Sequence, residues 1–483
     1  MADEIELKLE LTGDAAARIE ASGLLPGDPR KARQRSIYFD TPDRDLARAG
    51  FSLRIRRSGR KRIQTVKASG AGAAGLFVRS EWERPVDDDN PVLDCTTPLA
   101  TLLGDAVDAV APAFEVKIDR HEWIVMEGDA VIELVLDRGE VVAGERRSPV
   151  CEIELELKSG DPAALFVLAR RIDAVAPVRL GVVTKSERGY RLIAAASAMA
   201  RAERTELDGE MTAALAFRRI VQSCVRQFRL NEALLLTGPN PEALHQARVA
   251  LRRLRSALSI FRPMIGADGD ALGADLRWLA SELGDARNLD MLLDRAGHGP
   301  LYDRIAAARA VAYERVHDAL LSARVRGLML ALAEWAAIAN WSGSSGGEAD
   351  GDQPARGFAV AALDRFRRQV KRKGRDLAHL DDEARHALRK HAKKLRYAAE
   401  FFAALFGRKR EKRRYKRFVK ALEALQDHLG ALNDLVTARR ILKTLGVADG
   451  PDVSALLVED AKDDLVEAAA EAHEDLVDTR RFW

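Results

Sequence analysis

The feature that most constrains this fold is a strand-length run with charge on one face and aliphatic side chains on the other, and it occurs twice. Side chains alternate faces along a strand. In Glu4-Ile5-Glu6-Leu7-Lys8-Leu9-Glu10, the residues Glu4, Glu6, Lys8 and Glu10 therefore share one face, and Ile5, Leu7 and Leu9 the other. Glu152-Ile153-Glu154-Leu155-Glu156-Leu157-Lys158 repeats the pattern. One such strand could simply face water. Two acidic strand faces in one segment imply a shared interior lined with carboxylates.

Residues 1–200 supply strands whose faces answer that acid. Phe51–Arg57 places Arg54 and Arg56 together, and Arg62–Lys67 places Lys67 with Ile63 and Thr65. Val78–Arg84 reads as a single strand with Arg79, Glu81 and Glu83 on one side. Glu115–Val125 puts Arg120 with Val116 and Ile118, and Val131–Arg138 carries Glu133 and Asp137. Helical patterns cover Asp14–Ser22 and Pro162–Ala174, and the segment closes on Lys185-Ser186-Glu187-Arg188-Gly189-Tyr190. A closed antiparallel barrel with a charged interior would satisfy all these faces at once. Carboxylates hold hard divalent cations and arginines grip phosphate oxygens in bidentate fashion, so the combination points to a polyphosphorylated ligand with metal.

Glu4-x-Glu6-x-Lys8 at the start, the Phe51–Arg56 run, Lys67, Arg120, Asp137, Glu152-x-Glu154 and Lys185, in that order, resemble the CYTH family of triphosphate tunnel metalloenzymes. The resemblance implies an eight-stranded antiparallel tunnel in which Arg54, Arg56, Lys67 and Arg120 bind phosphates. It also implies that Glu4, Glu6, Glu152 and Glu154, with Asp137, place Mg²⁺ or Mn²⁺. Lys8 and Lys185 face the tunnel as substrate-binding and catalytic cations, and Arg79 belongs to a further charged strand.

From Ser197 the periodicity turns helical. Helices are expected over 210–237, 241–262, 268–296, 300–340, 356–376, 383–406, 410–445 and 451–478, with a flexible Gly/Ser-rich linker at 342–357. The parts on either side of the linker match. His245-x-x-Arg248-x-x-x-Arg252-Arg253-Leu254-Arg255 pairs with His386-x-x-Arg389-x-x-x-Lys393-Lys394-Leu395-Arg396, and Leu283-Gly284 with Leu429-Gly430. At helical spacing His245, Arg248, Arg252 and Arg255 form one stripe, and His386, Arg389, Lys393 and Arg396 another. Like charges at that spacing repel, so a duplicated stripe calls for an anion. The extra basic run 408–420 and His391 either extend that surface or are solvated.

This half resembles the CHAD family of conserved-histidine α-helical domains. That resemblance implies two pseudo-twofold helical bundles whose basic face, here His245, Arg248, Arg252, Arg253 and Arg255 with His386, Arg389, Lys393, Lys394 and Arg396, binds inorganic polyphosphate. The fold class expected is thus α+β with two domains: a CYTH-like tunnel over 1–200, and a CHAD-like all-α domain over 205–483 with halves 210–341 and 358–480.

The function this implies is metal-dependent hydrolysis of inorganic triphosphate, with polyphosphate binding by the helical half. The alternatives are a polyphosphate binder without turnover, or a tunnel acting on thiamine triphosphate or cyclising ATP, because fold alone does not choose a substrate. Nucleic acid is disfavoured, since the basic half has no series of aromatics for stacking bases. Cys95, Cys151 and Cys224 lie far apart with no metal-type spacing, and they read as buried thiols in a reducing compartment. No signal peptide or membrane span is visible, so a cytoplasmic protein, with association to polyphosphate granules, is the expectation.

Overall fold

Alternation decides the first unit. The computed structural model describes residues 4–68, 75–195, 197–339, 341, 351–447, 453, 457 and 462–483; the side chain of Arg79 and linker positions 342–350 lie outside the described residues. The strands are β1 (Glu4–Glu10), β2 (Arg30–Asp40), β3 (Phe51–Ser58), β4 (Lys61–Ala68), β5 (Leu76–Arg79), β6 (Glu81–Pro85), β7 (Ala111–Glu127), β8 (Ala130–Ala143), β9 (Arg146–Ser159) and β10 (Arg179–Leu180). They pair in the order β1-β9-β8-β7-β2-β3-β4-β6, all antiparallel, and β5 pairs back to β1.

The single strand expected over Val78–Arg84 is therefore two. Its first half hydrogen-bonds to β1 (Glu4 opposite Arg79) and its second to β4 (Lys67 opposite Glu81), with the break at Ser80. This change of partner is what curls the sheet onto itself. Counted as one stave, β5 and β6 complete an eight-staved antiparallel tunnel.

The hydrophobic core lies outside the tunnel wall. Leu7, Leu9, Ile153 and Leu155 of β1 and β9 are fully buried on the outer face, where α4 (Ala163–Val175) packs across them beside α1 (Gly13–Ala21). A second outer cluster joins Leu53, Ile55 and Val66 to Phe39, Leu46, Leu99 and Leu103. With the apolar faces covered from outside, Glu6 and Lys8 are left turned inward at 3 % exposure each. One stretch of the interior is apolar as well: Tyr38, Phe114, Val116, Ile118, Val141 and Val150 fill it, and Tyr190, Leu192 and Ile193 pack on them from α5 (Lys185–Ile193).

The chain divides into two compact units, Met1–Ala198 with Arg326–Ala339, and Met199–Val325 with Asn340–Trp483. The helix expected over 300–340 is split accordingly. Ser322 turns extended (ψ 150°) and its Oγ accepts from Val325 N, which ends α6 (Pro300–Leu321) and starts α7 (Ala323–Ile338). From Arg326 onward α7 goes with the barrel, where Arg326 Nε donates to Asp173 Oδ1 at 2.6 Å.

In the second unit, helix Ala213–Leu235 packs on Pro241–Ile260, that on Asp270–Arg295, and that on α6. Helix Ala355–Lys373 packs on Asp382–Phe402, that on Lys409–Thr444, and that on Lys462–Asp478. The two series repeat one another, and Pro241–Ile260 meets Asp382–Phe402 between them. Residues 351–357, expected as flexible linker, are partly fixed: Ala213 N donates to Gln353 O and Ala355 N to Met211 O, at 2.9 and 2.8 Å.

Candidate active site and basic cleft

The inward faces of the strands enclose a cavity of about 260 Å³. It is lined by the predicted Glu4, Glu6, Lys8, Arg54, Arg56, Lys67, Arg120, Glu154 and Lys185. Sequence reasoning missed Tyr38 and Ser52; Glu133, Glu156 and Lys158, on charged strand faces read from the sequence but given no site role, line it as well. Thr184 and Ser186, beside Lys185, line it too.

Two groups of charge occupy the wall. In the first, Asp137, Glu152 and Glu154 bring carboxylate oxygens within 4.8 Å of one another. Asp137 and Glu152 are 0 % and 1 % exposed and sit behind the cavity wall, not in it. Lys185 Nζ lies 2.7 Å from Asp137, 2.5 Å from Glu152 and 2.9 Å from Glu154. Arg120 donates twice to Asp137, at 2.8 and 2.6 Å, and once to Glu154. Lys8 bonds Glu154 and lies 2.6 Å from Glu6. Burial works against the charged form of Glu154, but Lys185, Lys8 and Arg120 hold its carboxyl well below the usual range. The expected metal ligands Glu4 and Glu6 are therefore not part of this trio. Glu4 pairs instead with Lys67 at 2.9 Å, and Lys67 also reaches Glu81 at 3.0 Å. Hard carboxylate oxygens in this number suit a divalent cation.

The second group is cationic. Arg54 donates to the Tyr38 hydroxyl at 3.4 Å, and its Nε is buried without a partner. Arg56 stands two residues along on the same face, with Glu83 at 3.5 Å. Repulsion from Arg54, then burial, push the Arg56 guanidinium down to about 10. Two adjacent guanidiniums with so little acid beside them form a seat for oxyanions.

Helix α5, which brings Lys185 to the trio, is seated by close fitting. Tyr190 Oη donates to Asp40 Oδ2 at 2.8 Å, and Asp40 also accepts from the backbone of Thr41, Leu46 and Ala47. Gly189 lies against Phe114, where a Cβ would come within 2.2 Å of the ring. Phe114 in turn stacks on Tyr38 at 4.7 Å. Gly189→Ala is expected to overpack this contact and cost about 1–3 kcal/mol, seen as a lower urea midpoint; an unchanged midpoint would mean the helix shifts freely.

In the helical unit, both sequence repeats face one cavity of about 670 Å³. Arg252 and Arg255 come from one helix, and His386, Arg389, Lys393 and Lys394 from the other. Arg262, Arg277 and Lys390, not foreseen, line it as well. Four expected residues are not in its lining. Arg253 is 6 % exposed and stacks over Phe401. Arg396 pairs with Glu400 at 3.2 Å. Arg248 donates to Ala280 O at 3.0 Å, and burial, then Arg252 and Arg287, push it down to about 10. Burial, then Arg287, Arg252 and Arg248, push His245 down to about 4, so it is neutral near pH 7.

The duplication extends to contacts. A Cβ on Gly284 would lie 3.1 Å from Arg248, and one on Gly430 3.5 Å from Arg389: the same arginine meets the same glycine in each repeat. His386 Nδ1 stands 2.7 Å from Asn433 Oδ1. Burial, then Arg252 and Arg389, depress the Lys393 ammonium to about 6. Among the described residues no helix is long and apolar enough to cross a membrane.

Comparison with known proteins agrees with both geometries. Residues 2–190 match the CYTH domain and residues 219–443 the CHAD domain. An inorganic triphosphatase of Haemophilus influenzae is 30% identical over 197 residues, which cover 40% of this chain and 55% of that relative. The matched stretch thus spans about half of that relative's length. An uncharacterized protein of Mycobacterium tuberculosis is 28% identical over 402 residues, 75% of each chain. The crystal structure of the CHAD domain from Ricinus communis is 31% identical, covers 57% of this chain and 96% of its own, and has a TM-score of 0.46. The chain therefore carries a CYTH domain, residues 2–190, followed by a CHAD domain, residues 219–443.

Proposed function

We propose that the tunnel hydrolyses inorganic triphosphate with the aid of Mg²⁺ or Mn²⁺, and that the helical unit binds inorganic polyphosphate. The observation that carries the first part is the juxtaposition, inside one cavity, of the under-neutralised pair Arg54 and Arg56 with a wall of carboxylates. The barrel's likeness to a relative named inorganic triphosphatase supports the choice of substrate.

Glu4, Glu6, Asp137, Glu152 and Glu154 would hold divalent cation, the last three within reach of a single ion, which when bound neutralises phosphate charge and orients water. Arg54, Arg56 and Lys67 grip the phosphoryl oxygens, and Arg120, Lys8 and Lys185 offset charge on the group transferred. Arg79 is assigned to substrate binding from its place on β5 opposite Glu4. Tyr38 fixes Arg54 from the side. Water is the nucleophile in this scheme, and the protein contributes position and charge.

The cleft between the helical repeats takes the polyphosphate chain. Arg252, Arg255, Arg389, Lys393 and Lys394 supply its charge, and His245, Arg248, Arg253, Arg396 and His386 shape or flank it. Of the three thiols expected to be buried only Cys224 is, Cys151 being half-buried and Cys95 exposed. Three free thiols fit a reducing compartment, so we assign the activity to the cytoplasm, where polyphosphate binding would bring it to polyphosphate granules.

The test is phosphate release from tripolyphosphate, ATP and long-chain polyphosphate, each with Mg²⁺ and with EDTA. Magnesium-dependent release from tripolyphosphate well above that from ATP is expected. Turnover of ATP alone, or none of any substrate, overturns the reading.

A further inference from the structure

The trio Asp137, Glu152 and Glu154 carries three negative charges; three cations answer them at close range, and Arg188 stands farther off, 3.9 Å from Glu152. Lys185 Nζ lies within 2.9 Å of all three carboxylates, Arg120 bonds two of them, and Lys8 bonds Glu154 with Glu152 at 3.6 Å. A divalent ion added to this group would bring two uncompensated positive charges into a site almost closed to water. Such an imbalance is costly where the dielectric is low. Either an ammonium leaves, or a polyanion arrives with the metal.

Lys185 is the cation placed to leave. Arg120 is committed by two hydrogen bonds to Asp137, and Lys8 is held by Glu6, outside the trio, at 2.6 Å as well as by Glu154. Lys185 is the first residue of α5, and it both touches the trio and lines the cavity in front of it. Its side chain can turn from the carboxylates to an anion in the cavity.

We propose that Lys185 is a tethered counter-ion that competes with the divalent cation for Asp137, Glu152 and Glu154, so that the tunnel holds metal tightly only once a polyanion has drawn the ammonium away. Metal and substrate then bind with positive coupling, each favouring the other. The inference rests on the tunnel binding a metal and a phosphate polyanion; it does not depend on which substrate is turned over.

The signature is a pair of opposite effects from one substitution, read on the full chain without turnover. Lys185→Met removes the competitor, so Mn²⁺ titrated in the absence of phosphate should bind about tenfold tighter or more. It also removes a cation from the cavity, so tripolyphosphate titrated in EDTA should bind about tenfold more weakly. Lys185→Arg keeps the charge and should restore the wild-type ranking of both. Asp137→Asn added to Lys185→Met should abolish the gain in Mn²⁺ affinity, which places the ion at the trio. Lys185→Gln, checked by circular dichroism, serves if the Met variant does not fold. Mn²⁺ affinity that is unchanged or lower in the variants overturns the proposal, as does a gain that survives Asp137→Asn. A chain with no triphosphatase activity but with these opposite shifts would sink the catalytic reading and leave this one standing.

Discussion

Arg54→Ala combined with Arg56→Ala is expected to lower kcat/KM for tripolyphosphate by about 10⁴-fold while leaving the melting temperature unchanged or raised. Removing a single donor aimed at developing charge costs about 10²–10³ in rate, and two adjacent donors are lost here. Stability should move the other way because these residues weaken the empty barrel. Arg54 leaves a buried Nε unpaired, and Arg56 is held near 10 chiefly by its neighbour's charge. Removing both relieves the repulsion that lowers Arg56, as expected where a site is built for ligand at some cost to the fold. Steady-state kinetics with a thermal melt of the same sample decide it. If activity and melting temperature fall together, the pair holds the barrel and not the substrate.

The second large effect is expected in the cleft. Arg252→Glu with Lys393→Glu, one from each repeat, should reduce polyphosphate affinity at least a hundredfold, whereas Arg253→Met should leave it within about twofold. Arg252 and Lys393 face one cavity from two helices, so a linear polyanion touching both loses its tether when either stripe changes sign. Arg253 stacks on Phe401, outside the cavity lining. The pH dependence follows from Lys393. Its ammonium is depressed to about 6 in the empty cleft, and a bound anion must raise it. Above pH 6 binding therefore takes up a proton, and affinity falls as pH rises from 6 towards 9. Calorimetry in two buffers of different ionisation enthalpy measures that uptake. Equal heats in both buffers, or full affinity in the double variant, would place the polyanion elsewhere.

Much of this was legible in the sequence, and the boundary has a physical cause. Which face a residue takes is a local property of the strand or helix, so Glu6, Lys8, Arg54, Arg56 and Lys67 are brought inward together as their alternation predicts. Depth and partnership are not local. The same alternation that points Asp137 and Glu152 inward cannot tell that the wall there is filled by Lys185 and Arg120. The exchange of partners at Ser80 depends on where β1 and β4 lie, and 76–85 reads as one strand until they are placed. Arg253 is a different case: a helix turns 100° per residue, so the stripe of Arg248, Arg252 and Arg255 already leaves it out, and only the family resemblance set it on the basic face; it stacks on Phe401 instead. Tyr38 was missed because an aromatic in a strand reads as core, and it is core as well as tunnel lining.

The meeting of Arg248 with Gly284 and of Arg389 with Gly430 bears on descent. A glycine inside a helix ordinarily costs up to about 1 kcal/mol relative to alanine, and both helices run through theirs without a break. The missing side chain makes room for an arginine from the neighbouring helix. In a duplicated unit each such couple is inherited whole: a Cβ would press on the arginine at Gly284 and touch it at Gly430, so a larger side chain at either crowds the arginine, and a lineage that shortens the arginine leaves the glycine a defect with no use. Distant descendants should therefore keep or lose the two together, independently in each half, so that a half retaining neither has left the ancestral task to its twin.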